Sequence, residues 1–492
     1  MPLITYAEAV PGTVTFTSDA EVQSRMIPCN IIKKAVYITC LLSAVSCCSG
    51  SDPVLQPTGR AAGVPADTVP FTQYVQDTRE NIEQILNRVR PPSANRSYLG
   101  GYTNREAAAM RSPFQIPQTA DERCFDGSRG AGKGFLLIHG LTDSPYLMRS
   151  ISESLSREYP CSLIRAVLLP GHGTVAGDSL TMNYQDWQRI VSYGVNSFTQ
   201  DDTISQLYLV GFSTGTSLAI QYMKEHPQKA GKSRADKIKG LILVSTAVKA
   251  KSRAAWLAPM VKWVKKWGTT FKEKDAARYE SFSLNAGAQF YSLTKDMLDP
   301  AYALDVPVLM AVSSDDATID ARAAREFFCY PTQVKRRALL WYQSIDPAVN
   351  GAINRHDTPE LMCDNIVEIK LEDIQPDFNT VNLAHTALSM SPDDPHYGVH
   401  GKYHNCKAYD TAETARRFNE CQGNIKKSIY GENNISELKD TLRLEYDYLR
   451  RGTFNPDYKN LESKILCFTN DSCPVNELTA YGPDGNRTKQ PR

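Results

Sequence analysis

The sequence has almost no excess of charge of either sign, with 55 lysine and arginine residues against 54 acidic residues. A chain without a global field does not attract nucleic acid or an anionic surface as a whole, so we expect no nucleic-acid partner. Its 12 cysteines include no Cys-x-x-Cys pair, which argues against a thiolate metal cluster. The content of 42% hydrophobic and 22% charged residues is typical of a globular protein and excludes a collagen, a coiled coil or a wholly disordered chain.

Residues 1–48 have the features of an export leader. Lys33 and Lys34 precede the apolar stretch Ala35–Ser46, whose 12 residues are too few for a bilayer core that needs about 20. A charged start, a short apolar stretch and small residues after it are typical of a secretory signal. The fit improves if translation starts at Met26, because the residues before it carry charge and no apolar run.

The end of this leader resembles the lipobox of bacterial lipoproteins. Ala44–Cys47 reads Ala-Val-Ser-Cys, and in a lipobox the cysteine is lipidated and becomes the first mature residue. We therefore expect an exported lipoprotein of the periplasm or outer membrane, held to the membrane by a lipid on Cys47. Plain secretion and an uncleaved N-terminal anchor are the alternatives.

Eight further cysteines form an even set that an oxidising compartment would pair. Eight cysteines allow 105 connectivities, and proximity along the chain favours four pairs: Cys406–Cys421 and Cys467–Cys473, then Cys124–Cys161 and Cys329–Cys363. The alternative is that some of them are buried free thiols, because cysteine is often buried without a partner.

The composition divides the remaining chain into five parts. The predicted boundaries are a flexible tether at 49–66, an N-terminal segment at 67–133, a core at 134–248 and 300–400, a cap at 249–299 and a C-terminal helical extension at 401–492. Phe71–Val89 has apolar residues at helical spacing, and Leu438–Arg451 is a second predicted helix.

The core alternates short apolar runs with amphipathic segments. The predicted strands are 135–139, 163–169, 207–212, 241–245, 308–313 and 366–371. Helical segments such as Pro145–Arg157 and Thr214–Glu225 separate them. Continuous apolar strands joined by helices are typical of a mostly parallel sheet covered on both faces. The fold class is therefore α/β, with a doubly wound, mostly parallel sheet and a helical cap insertion.

The cap segment 249–299 lies between two predicted strands, above the edge of the sheet where ligands bind in such folds. Trp256, Met260, Trp263 and Trp267 fall on one face of a predicted helix, and lysines fall on the others. We interpret the segment as a lid. The alternative is a surface amphipathic helix that gates nothing.

The most informative motif is Gly-Phe-Ser-Thr-Gly at 211–215, between an apolar strand and a helix. In that context Gly-x-Ser-x-Gly predicts a nucleophile elbow, with Ser213 as the nucleophile. The turn is so sharp that side chains at Gly211 and Gly215 would collide with their neighbours. The alternative is a glycine-bearing helix start in which Ser213 is an ordinary cap.

The other members of a serine hydrolase site follow in the order that this fold requires. Asp316 follows the strand 308–313 and is the predicted acid, with Asp315 as the alternative. His385 follows the last predicted strand and is the predicted base, which takes the proton of Ser213.

A second loop, after the strand 135–139, predicts an oxyanion hole. Gly140 lets the backbone approach a substrate, so that the N–H groups of Leu141 and Thr214 bind the oxyanion. His139 beside it is expected to be structural rather than catalytic, at the wall of the substrate pocket.

Residues 134–400 resemble the α/β-hydrolase fold, and within it the monoacylglycerol-lipase and carboxylesterase branch of bacterial serine hydrolases. The matching stretches are LLIHGLTDSPYLMR (136–149), LLPGHGT (168–174), GFSTG (211–215), SSDDATID (313–320) and AHTALSMSPDDPHYG (384–398). The resemblance implies that His172 shapes the pocket wall and that 249–299 frames an acyl pocket. It implies carboxylic ester hydrolysis through an acyl-enzyme on Ser213, with a small ester or lipid as substrate and no cofactor.

Other functions stay open. The same three residues serve a peptidase, an amidase or a thioesterase, and a non-catalytic lipid-binding protein is the less favoured alternative. Residues 127–134 resemble a phosphate-binding loop, but Gly134 replaces its Ser or Thr and the motif precedes its strand. His396, His400 and His404 recur every four residues, but Pro395 and Gly398 interrupt any helix that could gather them, so we expect no metal site.

Overall fold

The computed structural model describes residues 52–480, apart from positions 92, 94–96, 118–123, 125–127, 228–236, 300–302, 331, 333, 345–362, 372–377, 411–414, 425 and 433–445. The leader 1–48, the possible start at Met26 and the lipidation site Cys47 lie outside the described residues. Within the described part of the chain, no helix combines the length and apolarity that a membrane span needs.

An eight-stranded sheet organises the chain. The strands in chain order are β1 Phe114–Ile116, β2 Lys133–Ile138, β3 Leu163–Val167, β4 Gln206–Phe212, β5 Ile238–Val244, β6 Trp267–Thr269, β7 Phe282–Ser283, β8 Val308–Ser313, β9 Arg337–Gln343, β10 Ile366–Lys370, β11 Ser428–Gly431 and β12 Tyr448–Arg451. The large sheet has the order β1-β3-β2-β4-β5-β8-β9-β10. All its neighbouring strands run parallel except β1, which pairs with β3 in the antiparallel sense.

Both faces of this sheet are buried. Along β2, Leu136 and Ile138 join one apolar core, whereas Phe135 and Leu137 join another. Successive side chains of a strand point to opposite faces, so the two cores lie on the two sides of the sheet. A mostly parallel, doubly wound sheet is the predicted fold class, and it is confirmed.

Helices supply the other half of each core. They are α1 Phe71–Val89, α2 Asn104–Arg111, α3 Arg149–Glu158, α4 Tyr184–Thr199, α5 Thr214–Glu225, α6 Ala258–Val261, α7 Leu284–Thr294, α8 Ala321–Cys329, α9 Ala415–Gly423, α10 Tyr458–Phe468 and α11 Val475–Thr479. Side chains of α1, α4, α5, α7 and α8 pack in the first core. Those of α3 and α10 pack in the second, so helices cover both faces.

The segment 52–66 is not the flexible tether that its composition predicts. Pro53–Leu55 forms one turn of 3-10 helix, with Val54 buried. The backbone N–H of Thr58 donates to Asp178 Oδ1 over 2.6 Å, and the Thr58 hydroxyl donates to the same carboxylate. Small and proline-rich residues here allow a close approach to the core, so this part of the predicted tether belongs to the folded body.

The aromatic face predicted for the cap is only partly helical. Residues 255–257 form a 3-10 turn and α6 ends at Val261, so the helix is too short to carry all four side chains. Trp267 instead begins β6, which pairs with β7. Trp256 and Trp263 are exposed.

The C-terminal extension also differs from the prediction. Of the predicted helix Leu438–Arg451, residues 438–445 lie outside the described residues, and Tyr448–Arg451 forms strand β12. This strand runs parallel to β11 in a separate two-stranded sheet. Tyr and Leu followed by arginines fit a strand as well as a helix, and the pairing with β11 decides the outcome.

All four predicted cysteine pairs are present. Disulfide bonds join Cys124 to Cys161, Cys329 to Cys363, Cys406 to Cys421 and Cys467 to Cys473. The pairing predicted from proximity along the chain is confirmed, and the alternative of free thiols is wrong for these eight residues.

Candidate active site

Ser213 occupies a sharp turn between β4 and α5. Its φ of 52° and ψ of −121° place it in a backbone conformation that residues with a side chain rarely adopt. A Cβ on Gly211 would come within 2.6 Å of the Gly215 backbone, and one on Gly215 would collide with the Ile138 carbonyl oxygen. Only glycine fits at either position, so the strained turn requires both glycines of the motif.

Ser213, His385 and Asp316 form one line of hydrogen bonds. The distance from His385 Nε2 to Ser213 Oγ is 2.8 Å, and from His385 Nδ1 to Asp316 Oδ2 it is 2.6 Å. The three side chains come from three separate loops and are all buried. The structure therefore brings together the three residues that the sequence predicts as nucleophile, base and acid.

The loop after β8 holds Asp316 with its second oxygen. Asp316 Oδ1 accepts hydrogen bonds from the backbone N–H groups of Thr318 at 2.8 Å and Ile319 at 2.9 Å. Oδ1 therefore fixes the carboxylate in the loop, and Oδ2 is hydrogen-bonded to the imidazole of His385.

Asp315, the alternative acid, takes no part in this line of hydrogen bonds. Neither of its carboxyl oxygens has a hydrogen-bond partner among the described residues, and the side chain is buried. Burial, with the negative charge of Glu432 adding to it, raises the pKa of Asp315 to about 7. Ser344 lies close enough to lower the pKa of Asp315 against this shift, but its hydroxyl is not in hydrogen-bonding geometry with the carboxyl.

Gly140 lies directly against Ser213, where the sequence predicts the oxyanion hole. A Cβ on Gly140 would be 2.8 Å from Ser213 Cβ, so the loop that carries Leu141 runs beside the serine. Thr214 follows Ser213 and opens α5. Leu141 and Thr214 thus flank the serine from two elements.

The next residue of that loop, Thr142, is held in a left-handed conformation with a φ of 64°. Its N–H donates to His172 Nε2 over 3.1 Å, and its carbonyl oxygen accepts from the Tyr279 N–H over 2.8 Å. The first contact comes from the core and the second from the cap, so both parts of the chain fix this loop.

The histidines predicted for the pocket wall, His139 and His172, are fully buried behind the loop. His139 Nε2 accepts from the Leu169 N–H over 3.0 Å, which leaves the proton on Nδ1, 2.8 Å from the Gly140 carbonyl oxygen. Burial lowers the pKa of His172 to about 4, and burial with His172 beside it holds the pKa of His139 well below its usual range. Both rings are neutral supports of the loop backbone.

Sequence reasoning missed a buried ion pair beneath the same loop. Asp143 is 3.3 Å from the Arg278 guanidinium of the cap, and Arg278 is 3.8 Å from Asp275. Burial raises the pKa of Asp143, and the Arg278 charge acts against that shift. Asp143 and Arg278 are 135 positions apart, so no local sequence pattern predicts their contact.

Of the three histidines weighed as metal ligands, His396 is bound to other side chains. His396 Nε2 is 2.9 Å from Asp275 Oδ1, and its Nδ1 is 3.2 Å from the Tyr102 hydroxyl. In the described part of the chain, one trio of potential ligands is close enough to share an ion, and two of its members, Cys467 and Cys473, are disulfide-bonded to each other. The glycine-rich stretch resembling a phosphate loop forms, over its described residues, a turn that leads into β2.

The sheet order and the strand-turn-helix at Ser213 define the α/β-hydrolase fold. Residues 135–369 match the model of the alpha/beta hydrolase family. The match ends before His385. The interpretation of His385 as the base therefore depends on the geometry of this chain alone.

Among curated proteins, a thermostable monoacylglycerol lipase from Bacillus sp. (strain H-257) is 27% identical over 195 residues, which are 38% of this chain and 71% of that protein. Similar solved structures include a monoacylglycerol lipase from Paleococcus ferrophilus, at 17% identity and a TM-score of 0.35, covering 47% of this chain and 88% of that one. A soluble variant of monoglyceride lipase from Saccharomyces cerevisiae is 16% identical with a TM-score of 0.36, covering 51% and 92%.

Proposed function

We propose that this protein is a serine hydrolase that cleaves carboxylic esters through an acyl-enzyme on Ser213. The observation that carries the proposal is the line of hydrogen bonds from Ser213 through His385 to Asp316. A serine hydroxyl is a weak nucleophile unless a base within hydrogen-bond reach removes its proton. His385 Nε2 is that base, at 2.8 Å.

In the first half-reaction, Ser213 Oγ attacks the ester carbonyl carbon while its proton moves to His385 Nε2. Asp316 accepts the Nδ1–H, which fixes the tautomer and stabilises the imidazolium. The carbonyl oxygen becomes an oxyanion that the N–H groups of Leu141 and Thr214 bind. The tetrahedral intermediate collapses, His385 gives the proton to the leaving alcohol, and the acyl group stays on Ser213.

In the second half-reaction, water replaces the alcohol. His385 removes a proton from water, the hydroxide adds to the acyl carbonyl, and the oxyanion forms again in the same place. Collapse releases the carboxylic acid and returns the proton to Ser213 Oγ. The cycle consumes one ester and one water and needs no group beyond the chain's own residues.

A monoacylglycerol or a related small ester is the substrate class that we propose. Its support is the similarity to a curated monoacylglycerol lipase over 195 residues. The cap start is also basic, since 249–272 holds no acidic side chain that could bind the amine of a peptide substrate. Amide and thioester substrates are the alternatives that kinetic comparison separates.

We also propose that the chain is exported, with a lipid on Cys47 as its membrane anchor. The four disulfide bonds support an oxidising compartment. Palmitate incorporation into the full chain, lost in Cys47→Ala, tests the anchor, and incorporation that survives this substitution rejects it.

Labelling with a fluorophosphonate tests Ser213 as the nucleophile. We expect the folded chain to react and Ser213→Ala not to react. Ser192→Ala is the matched control, because that hydroxyl lies on α4 and donates to the Gln188 carbonyl within its own helix. A folded chain that refuses the probe, or labels equally as Ser213→Ala, rejects the proposal.

A further inference from the structure

The described surface concentrates its exposed large apolar side chains in one place. Of the six such residues in the described part of the chain, all but Tyr330 lie in the cap: Trp256, Met260, Val261, Trp263 and Val264. Trp263 is 83% exposed and Val264 is 92% exposed, which places nearly the whole of each side chain in solvent. We call residues 249–272 the cap patch.

The cap patch is a built surface that packs on the body with its other side. Lys262 Nζ donates to Asn285 Oδ1 of α7 over 3.1 Å, and Ala258 lies in the segment that faces the same helix near Gly287. Trp256, Met260 and Trp263 are each more than half exposed, so their side chains lie on the outer side of the segment. Exposing several large apolar groups together is costly in water and marks an interaction surface.

The charge of the cap patch indicates what covers it. Between Lys249 and Lys272 the sequence has seven lysine and arginine residues and no acidic residue. The net charge of the whole chain is only +1, so these positive charges are concentrated locally. Lys249 forms an ion pair with Asp320 at 3.4 Å, and the patch keeps an excess of positive charge. Tryptophans beside lysines suit the boundary between lipid headgroups and acyl chains, and lysines near an anionic leaflet are attracted to its negative surface.

We propose that the cap patch docks on an anionic lipid bilayer. The exposed aromatic and aliphatic side chains enter the headgroup layer, and Lys265 and Lys266 contact acidic phospholipids. Docking of this kind does not depend on turnover, so it can be measured on Ser213→Ala as well as on the parent chain. Its outcome is therefore separate from the outcome for the proposed reaction.

The test is cosedimentation of the full chain carrying Cys47→Ser, which removes any acyl anchor at that position. Vesicles of phosphatidylcholine are compared with vesicles of two parts phosphatidylcholine to one part phosphatidylglycerol. We expect binding to the anionic vesicles that falls as salt is added. Lys265→Gln/Lys266→Gln should weaken it about tenfold or more, and Trp263→Ser/Val264→Ser by a similar factor. The matched control is Lys426→Gln/Lys427→Gln, another pair of adjacent exposed lysines.

Equal binding to neutral and anionic vesicles overturns the proposal, as does equal binding by the cap-patch variants and the control. Sedimentation velocity decides the competing occupant. A parent chain that dimerises, with cap-patch variants that are monomeric and bind vesicles unchanged, would assign the surface to a second copy.

A second inference, which rests on the proposed function, concerns the C-terminal extension. Glu432 is buried, and its Oε2 accepts the N–H of Ala317, the residue after Asp316, over 2.9 Å. Arg451 Nε donates to Glu432 Oε1 over 2.6 Å, and Arg451 Nη2 donates to Thr318 Oγ1 over 3.1 Å. The ion pair between Glu432 and Arg451 therefore contacts the loop that carries Asp316 at two points.

The ends of β11 and β12 also contact the loop that carries His385. The Glu432 N–H donates to Asn382 Oδ1 over 2.7 Å, and the Thr386 hydroxyl donates to the Gly452 carbonyl oxygen over 3.1 Å. Asn382 and Thr386 stand on either side of His385. These contacts lie beyond residue 369, where the family match ends. We infer that Glu432 and Arg451 are positioning residues that set the distance between Asp316 and His385.

Glu432→Ala should lower kcat about 10- to 100-fold with KM changed less than about threefold, because small misplacements of catalytic groups are costly. Glu432→Gln keeps an oxygen for Ala317 and should recover part of the loss. The acidic limb of the kcat/KM profile should move to lower pH in Glu432→Ala, since Asp316 then stabilises the imidazolium less. Arg450→Met is the matched control, because this buried neighbour of Arg451 turns to the Cys421 carbonyl instead.

A downfield proton resonance from the His385–Asp316 hydrogen bond gives a readout that needs no turnover. We expect it in the parent chain and in Arg450→Met, and we expect it weakened or shifted in Glu432→Ala. An inactive parent chain that shows this pattern contradicts the proposed function alone. A folded Glu432→Ala with parental kcat, pH profile and resonance overturns the inference.

Discussion

The adjacent residues Asp315 and Asp316 differ because their carboxylates lie in different surroundings. Asp316 receives two backbone N–H groups and the imidazole of His385, whereas Asp315 is buried with no hydrogen-bond partner among the described residues. Sequence order could place the acid within this pair of residues, but the choice depends on which carboxylate turns toward the histidine.

Asp316→Asn should lower kcat about 10³- to 10⁴-fold, because the amide no longer holds the imidazole in its productive tautomer. Asp315→Asn, the matched neighbour, should stay within about threefold of the parent chain. Steady-state kinetics on a soluble ester measures both. The reverse ranking would assign the role of the acid to Asp315.

Asp315 also makes stability depend on pH. Its pKa is raised in the folded chain to about 7, so between about pH 4 and pH 7 the unfolded chain has lost a proton that the folded chain keeps. The free energy of unfolding therefore falls as pH rises through this window, by at most about 4 kcal/mol.

Asp315→Asn removes this loss. We expect the variant to gain stability relative to the parent chain at pH 8 compared with pH 4, as measured by denaturant unfolding. A difference between the two chains that is the same at both pH values would contradict the account of this carboxyl.

At the scale of elements, the turn at Ser213 could be predicted from the sequence and the structure of the cap could not. The apolar strand, two glycines and following helix at 206–225 leave few alternatives, and α5 begins and ends where the pattern predicts. The cap depends on long-range packing. A short helix and β6 divide its aromatic face. The six predicted strands do not include the apolar run Ala338–Tyr342, which forms most of β9.

The close approach at Gly215 gives an element-scale prediction. Gly215→Ala should lower the free energy of unfolding by about 2–4 kcal/mol, because its Cβ would meet the Ile138 carbonyl oxygen. Gly423→Ala, at a position with open space around it, should change the same quantity by less than about 1 kcal/mol. Chemical denaturation of both variants is the measurement, and equal effects would show that the turn is not tightly packed.

At the scale of the whole molecule, proximity along the chain predicted the four disulfide bonds of the described residues. The contacts that hold the loops around Ser213 and Asp316, in contrast, join distant segments. Arg278 in the cap reaches Asp143, and Glu432 in the C-terminal extension reaches Ala317. Pairs of this kind are fixed by the path of the folded chain, which no local pattern of residues encodes.

The Cys329–Cys363 bond closes a long segment that contains β9, with a sequence separation of 34. Cys329→Ala/Cys363→Ala should lower the free energy of unfolding by about 3–4 kcal/mol, through the added entropy of the unfolded chain. Replacing Cys467 and Cys473, whose separation is 6, should cost about 1.5 kcal/mol less. Denaturant midpoints compare the two pairs, and the opposite order would contradict the loop-length argument.

Hydrolysis of p-nitrophenyl esters from acetate to palmitate, by the parent chain and by Ser213→Ala, tests the central claim most directly. The account predicts turnover that disappears in Ser213→Ala, with the preferred chain length giving the size of the acyl pocket. Turnover that survives in Ser213→Ala, or a folded parent chain that hydrolyses none of the esters, would contradict it.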